Sequence, residues 1–155
     1  MLPKNLLCFS PIRWDFRMHR PQQLLVRFAD HANVYFFEEP VFDAIESPFL
    51  TFSTRSETLW KVVPHLSSDL TVEKANFYLA QLLDQLLEKA NLDQWAFWFY
   101  TPTALPFTQK HKPKVVIYDQ VEEAESGADW NDVFRLVNQQ IRNKLALSNV
   151  IAIHP

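Results

Sequence analysis

The sequence predicts a Rossmann-like α/β domain of three layers, in which a mostly parallel sheet carries helices on both faces. Three observations lead to this prediction. Short apolar runs alternate with stretches of helical periodicity along the chain. Residues 95–100 (Trp-Ala-Phe-Trp-Phe-Tyr) are apolar at successive positions, as expected of a central parallel strand that is buried on both faces. The length of 155 residues suits one domain with a sizeable core.

The N-terminal part of the chain is predicted to hold the first strands and a short helix. Residues 6–10 form the first strand, and Pro21 lies in the first turn of the helix, where its missing N–H costs nothing. Residues 33–39 form the second strand. Residues 49–53 and 59–63 are rich in β-branched and aromatic side chains, and they form either a hairpin or one strand with an excursion.

The C-terminal part is predicted to continue the alternation of helices and strands. Either Asp69 or Thr71 caps a helix over residues 72–87, where leucines recur at helical spacing. The further predicted elements are a strand at 115–118, a long helix at 130–145 and a strand at 150–153.

Composition and charge exclude several classes of protein. The net charge of −3 gives no general attraction to nucleic acid or to an anionic membrane. Cys8 is the one cysteine, so no internal disulfide forms, and its place in an apolar run predicts a small buried side chain. No metal-ligand spacing, no apolar run of about 18 residues and no signal peptide is found, so we expect a cytoplasmic protein with neither metal nor cofactor.

The segment between the first strand and the first helix is the main candidate for a binding site. In open α/β sheets, ligands bind in the crevice at the carboxyl ends of the strands. Glycines are missing from this segment, which instead contains Arg13, Trp14, Asp15, His19 and Arg20. Guanidinium groups suit anionic or polyhydroxyl ligands, and aromatic rings suit a sugar face. The alternative is that the aromatic residues anchor the loop and that Asp15 pairs with an arginine.

Other polar residues are predicted at the same edge of the sheet. Tyr100 and Asp119 stand at the ends of two predicted strands, and Glu122 comes soon after Asp119. The acids could bind a sugar hydroxyl or a metal, or they could begin a solvated loop. His19 could act as a base near the helix start, although a surface or capping role is favoured on position alone.

The arginines of the segment need compensation by nearby acids. Three arginines within residues 10–20 would repel one another unless their charge is neutralised or well solvated. We therefore expect Asp15, Glu38 or Glu39 to pair with at least one of them and to fix the shape of the loop.

Several segments of the chain, in order, resemble the N-terminal domain of bacterial GT-B glycosyltransferases. This group is similar to glycosyltransferase family four and is associated with UDP-galactopyranose mutase. The Arg-Trp-Asp and Arg-Pro-Gln motifs are the most specific, and the strand matches alone are weak. The matching segments are residues 8–16, 20–25, 27–29, 36–43, 100–108 and 116–119.

The resemblance implies both a fold and a function. Residues 1–155 would be a single acceptor-side domain, with the donor-binding C-terminal domain absent, so the chain alone would be inactive. The parent enzyme would transfer a sugar from a nucleotide-sugar to a sugar or glycan acceptor in cell-surface polysaccharide synthesis. No catalytic residue is assigned. The implied acceptor-side residues are Arg13, Trp14, Asp15, His19, Arg20, Tyr100, Asp119 and Glu122.

The alternative function is a non-catalytic module that binds a sugar or a partner protein. The chain departs from the group's pattern at His19 and at residues 120–124, both in the expected crevice. Self-association through exposed apolar surface is also expected if a second domain normally covers part of this one.

Overall fold

The protein is a sheet covered by helices, as the alternating pattern predicts. The computed structural model describes residues 3–16, 20–119 and 149–153. Within these ranges, 3-10 turns occupy Leu92–Gln94 and Pro102–Ala104. The strands are β1 Asn5–Phe9, β2 Asn33–Phe37, β3 Phe49–Ser56, β4 Leu59–His65, β5 Trp95–Phe99, β6 Val115–Asp119 and β7 Asn149–Ile153. The helices are α1 Arg20–Phe28, α2 Val72–Leu86 and α3 Leu105–Thr108.

The strand order places a topological switch point at β1. The order is β3-β4-β2-β1-β5-β6-β7, and among the described strands only β3 runs antiparallel to its neighbour. The chain leaves β1 toward β2 and later returns to β5 on the opposite side of β1. Ligand sites in open sheets lie at such a switch point, outside the carboxyl ends of the strands. The topology therefore confirms the predicted Rossmann-like fold and points to the loops after β1, β2 and β5.

Each face of the sheet packs against a different set of helices. Along β1, Leu7 and Phe9 face a core cluster that includes residues of α2 and α3. Leu6 and Cys8 face the opposite cluster, which contains Leu25 of α1. This alternation follows from the period of two in a strand, and it confirms the predicted three layers.

Aromatic rings fill much of the core between the sheet and α3. The ring centroid of Phe9 lies 5.4 Å from Phe37, 5.8 Å from Phe97, 5.0 Å from Phe99 and 5.9 Å from Phe107. These distances fall within the range at which aromatic pairs attract one another beyond simple burial. Phe9 is therefore the centre of this part of the core.

Two local alternatives left open by the sequence have definite outcomes. The segments β3 and β4 form an antiparallel hairpin, with a register shift between Thr54 and Ser56. Thr71, rather than Asp69, caps α2, since its hydroxyl accepts a hydrogen bond of 3.2 Å from the backbone N–H of Lys74. Asp69 instead adopts a positive φ of 66° just before the helix.

Several predicted boundaries shift by one or two residues. The first strand was predicted to reach Ser10, but Ser10 begins the loop, where its hydroxyl bonds to the backbone of Ile12. The second strand ends at Phe37. Glu38 lies just beyond it, where its carboxylate accepts a hydrogen bond from the backbone N–H of Trp14. The short helix α3 was not predicted, and the predicted helix at 130–145 lies outside the described residues. No helix in the described ranges is long and apolar enough to cross a membrane.

Candidate functional site

The loops after β1 and β5 leave the sheet side by side at its carboxyl edge. The N–H of Ser10 donates to the carbonyl of Phe37 at 3.1 Å, and the N–H of Tyr100 donates to the carbonyl of Phe9 at 2.9 Å. These bonds carry the sheet ladder one residue beyond the strands. Asp119 ends β6 at the same edge. The structure thus places the start of the predicted loop, Tyr100 and Asp119 at one edge, as the parallel topology requires.

Glu38 fixes the loop that follows β1. Its side chain is only 3% exposed, and its Oε1 lies 3.3 Å from Nη1 of Arg13. Its Oε2 accepts a hydrogen bond of 2.8 Å from the buried backbone N–H of Trp14. The expected pairing of a strand-end carboxylate with a loop arginine is therefore present. Arg13 also donates to the carbonyls of Glu39 and Pro40, so it ties the β1 loop to the β2 loop.

Asp15 pairs with basic side chains of the β3–β4 hairpin. Its Oδ2 accepts from Nη2 of Arg55 at 2.7 Å and from Nζ of Lys61 at 2.9 Å. The alternative interpretation, in which Asp15 pairs with an arginine, is confirmed, and that arginine belongs to the β3–β4 hairpin. A separation of 40 and 46 residues leaves no local signal for these pairs. Because the Asp15 side chain is 57% exposed, its two ion pairs position the loop but contribute little to the free energy of folding.

Three of the predicted binding residues, Trp14, Tyr100 and Asp119, are buried. Trp14 packs edge-on against Phe36, with ring centroids 5.0 Å apart, so its ring anchors the loop. Tyr100 stacks on Trp98 with centroids 5.7 Å apart, and Asp119 is fully buried. Stacking on a sugar is thus open to the exposed ring of Phe16 but not to that of Trp14. Binding by Tyr100 and Asp119 remains a prediction.

Burial also accounts for the chemistry of Cys8. The thiol is fully enclosed on the α1 face, as the sequence predicts. Burial raises the pKa of the Cys8 thiol well above its ordinary value, and the negative charge of Asp119 raises it further. Cys8 therefore stays protonated at neutral pH and acts as a packing residue.

Some predicted site residues cannot be placed. His19 and Glu122 lie outside the described residues, as do Arg17 and the side chain of Arg20. Within the described ranges, no group of three or more histidine, cysteine, aspartate or glutamate side chains is arranged to hold a metal ion.

An open cavity of about 380 Å³ lies at the carboxyl edge on the side of α2 and α3. This volume falls within the range of small-molecule sites. Its walls come from the loop after β2, the first half of α2, the turn after β5 and α3. The sequence prediction missed these residues, because helix periodicity alone did not show which α2 side chains face the loops. The lining comprises Phe9, Ser10, Phe37, Glu38, Glu39, Pro40, Phe42, Val72, Ala75, Asn76, Leu79, Thr101, Thr103, Ala104 and Phe107.

Glu39 is the ionisable group at the rim of this cavity. Its side chain is exposed to solvent, yet partial desolvation by the cavity wall raises the pKa of its carboxyl. The positive charge of Arg13 and a hydrogen bond of 3.4 Å from the Thr103 hydroxyl oppose this rise. Thr103 in turn lies 2.9 Å from the hydroxyl of Thr101, so the β2 and β5 loops share one polar network.

Two histidines make contacts that the sequence interpretation did not include. His65 Nδ1 lies 2.7 Å from Asp43 Oδ1, and His111 Nε2 lies 2.7 Å from Asp84 Oδ1. Both pairs are structural ties, one between the β2–β3 loop and β4 and the other between α2 and the end of α3.

The Asp15 network predicts a pH effect on stability. The hydrogen bond from Lys61 is the main cause that lowers the pKa of Asp15 below its ordinary 3.8; desolvation opposes it, and Arg55 lowers the pKa further. The folded state then binds fewer protons than the unfolded state, so this stabilisation is present above the unfolded pKa and is lost on acidification. Between about pH 5 and pH 2, we expect the free energy of unfolding in urea to fall less for Asp15→Asn than for the wild-type protein. Parallel losses in the two proteins would contradict the prediction.

Comparison with known proteins gives a structural likeness without a sequence relative. No family model and no curated protein matches the chain. A trehalose-6-phosphate synthase from E. coli, bound with UDP-2-fluoro glucose, is similar with a TM-score of 0.50 and 12% identity over 88% of this chain. An α,α-trehalose-phosphate synthase (UDP-forming) from Burkholderia xenovorans, in complex with glucose-6-phosphate, has a TM-score of 0.50 and 13% identity over 74% of this chain.

The likeness covers only part of each solved protein. The chain spans 38% of the first structure and 33% of the second. At such low identity the comparison shows the fold alone. The described part of this chain has the α/β, Rossmann-like fold of a GT-B glycosyltransferase domain.

Proposed function

We propose that this chain is the acceptor-binding half of a glycosyltransferase that uses a nucleotide-sugar donor. The observation that supports this proposal most is the open cavity at the carboxyl edge of a Rossmann-like sheet that resembles a GT-B domain. The resemblance of the Arg-Trp-Asp and Arg-Pro-Gln segments supports it independently. A role in cell-surface polysaccharide synthesis, the association with UDP-galactopyranose mutase and a cytoplasmic location belong to the same proposal.

The described residues supply positioning rather than chemistry in this proposal. The pair formed by Arg13 and Glu38 holds the loops after β1 and β2 in a fixed relation. Fixed loops matter because transfer requires the acceptor hydroxyl to be held in line with the donor carbon. Asn76 presents a half-buried side-chain amide to the cavity, and within the described ranges this amide makes no hydrogen bond. Both the donor and acceptor functions of the amide suit sugar hydroxyls.

Sugar binding at the cavity is tested by ligand-observed NMR on the 155-residue protein. A panel of monosaccharides and alkyl glycosides is compared between wild type, Asn76→Ala and the control Gln81→Ala, an exposed residue of α2 outside the cavity. Asn76→Ala should make the free energy of sugar binding less favourable by about 1 kcal/mol, the typical net value of one hydrogen bond. Equal binding by the two variants, or no sugar binding at all, would argue against an acceptor site in this cavity.

We expect the 155-residue chain to have no glycosyl-transfer activity by itself. In the group that the sequence resembles, a second domain chiefly binds the donor, so the leaving phosphate would lack its stabilising partners here. The measurement is release of UDP from UDP-glucose or UDP-galactose in the presence of the sugars that bind. Turnover above a buffer blank would show that these residues form a complete active site.

The same assays separate this proposal from a non-catalytic binding module. The specific observation in favour of the module is that Trp14, Tyr100 and Asp119 are buried, away from the open cavity. If this chain, joined to a donor-binding domain, binds a sugar but transfers none, the module is the correct assignment.

A further inference from the structure

The described lining of the cavity at the carboxyl edge contains two acidic side chains and no basic side chain. Glu38 and Glu39 both line it, and no lysine or arginine does so among the residues that the structure describes. Arg13 pairs with Glu38, which leaves the Glu39 carboxylate at the rim to repel an anion, and an incoming phosphate would meet no lysine or arginine among the described lining residues. The charge of the cavity therefore disfavours phosphorylated ligands.

Arg13, the nearest guanidinium to these acids, is already engaged. Its Nη1 lies 3.3 Å from Glu38 Oε1 and also donates to the carbonyl of Glu39. Its Nη2 donates to the carbonyl of Pro40 at 3.3 Å. Turning Arg13 toward a phosphate would strip these three acceptors and leave the buried Glu38 carboxylate without its cation, which is costly. Arg13 thus serves the loop rather than a ligand anion.

The depth and the rim of the cavity have different chemistry. The deep wall is made of side chains from the core, namely Phe9, Phe37, Leu79 and Phe107. The rim carries Glu39 and Thr103 together with Phe42 and Val72, of which Val72 is 77% exposed. A ligand that fills this space must place apolar groups against the rings and present hydroxyl groups to the rim.

We propose that the cavity binds an uncharged glycoside with an apolar aglycone, such as an alkyl or aryl group, and that Glu39 excludes phosphorylated sugars. The aglycone lies against the core rings, and the sugar hydroxyls meet Glu39, Thr103 and Asn76. This inference rests on the proposed function and specifies its acceptor class. A carboxylate suits this task because it accepts hydrogen bonds from sugar hydroxyls while it repels phosphate.

The test is a calorimetric titration of the 155-residue protein with three ligands. Octyl β-glucoside, kept below micelle formation, should bind at least about tenfold more tightly than glucose-6-phosphate. An octyl chain with a neutral triethylene-glycol head should bind more weakly than octyl glucoside, because it lacks the sugar. Tighter binding of glucose-6-phosphate would overturn the charge argument while leaving an acceptor site in place. Equal binding of both octyl ligands would instead contradict sugar recognition and the proposed function with it, and absence of all binding would contradict both.

Two variants assign the effects to this cavity. Glu39→Gln keeps the shape of the side chain and removes its charge, so the affinity for glucose-6-phosphate should rise several-fold relative to the affinity for octyl glucoside. Val72→Asp adds a charge at an exposed rim position, where an acid also suits the helix N-terminus, so folding should be retained. Val72→Asp should weaken the binding of octyl glucoside. The control Phe77→Asp, on α2 but outside the cavity lining, should leave this binding unchanged. An unchanged ligand preference in Glu39→Gln, or equal effects of the two aspartates, would remove these residues from the proposal.

Discussion

Replacement of Phe9 by alanine is expected to lower the free energy of unfolding by about 3–5 kcal/mol. The Phe9 ring is buried and makes contacts with Phe37, Phe97, Phe99 and Phe107, all within 5.9 Å between ring centroids. Alanine would leave a void among aromatic side chains that are held by β2, β5 and α3. Such rings cannot close the space by small movements. The variant therefore loses both the free energy of burying the Phe9 ring and the packing contacts that its neighbours made with that ring.

Two further variants control for this effect in urea unfolding followed by tryptophan fluorescence. Phe9→Leu retains most of the apolar volume and should cost about 1–2 kcal/mol. Phe52→Ala removes a half-exposed ring from the edge strand β3 and should change stability by no more than about 0.5 kcal/mol. Similar costs for Phe9→Ala and Phe52→Ala would mean that the Phe9 cluster is not the rigid centre of the core.

The fold was predictable because burial patterns are local. The run at 95–100 is apolar on both faces, as expected of a central strand of a parallel sheet. The leucines of α2 recur at the helical period, and a hydroxyl residue stands just before them as its cap. The short helix α3 lacks both signals, since four residues are too few to show a period and its start has no side-chain cap.

The location of the site was predictable in part, and its contacts were not. The sequence places Arg13 after one strand and Glu38 after another, and the parallel topology then brings both to the same edge. The partners of Asp15 come from a hairpin whose own form was left open. The cavity depends on which side chains of α2 face the β2 loop, and that is a property of packing rather than of spacing.

The ion pair at the base of the site explains why the binding segment needs no glycine. A glycine-rich loop would take its shape from left-handed turns of the backbone. Here a side chain sets the shape, because Glu38 accepts from the Trp14 N–H and binds the Arg13 guanidinium. One buried carboxylate thus fixes two consecutive residues of the loop. The ring of Trp14 completes the anchor by packing on Phe36.

Glu38→Ala is therefore expected to destabilise the protein by about 3 kcal/mol, far more than Asp15→Ala. The variant leaves the buried Trp14 N–H without its acceptor, a loss of about 1–3 kcal/mol. It also leaves Arg13 without its carboxylate, although the carbonyls of Glu39 and Pro40 still accept from it. Asp15→Ala breaks only solvent-exposed pairs, so it should cost about 0–1 kcal/mol.

A double-mutant cycle in urea separates the two parts of the Glu38 effect. Combining Glu38→Ala with Arg13→Ala should cost less than the sum of the single variants by about 1 kcal/mol or more, since both remove the same pair. Glu38→Gln should fall between wild type and Glu38→Ala, because an amide oxygen can still accept from Trp14 while the charge is lost. If Glu38→Ala and Arg13→Ala are additive, the ion pair contributes nothing beyond the Trp14 hydrogen bond. If Glu38→Ala costs no more than Asp15→Ala, Glu38 does not anchor this loop.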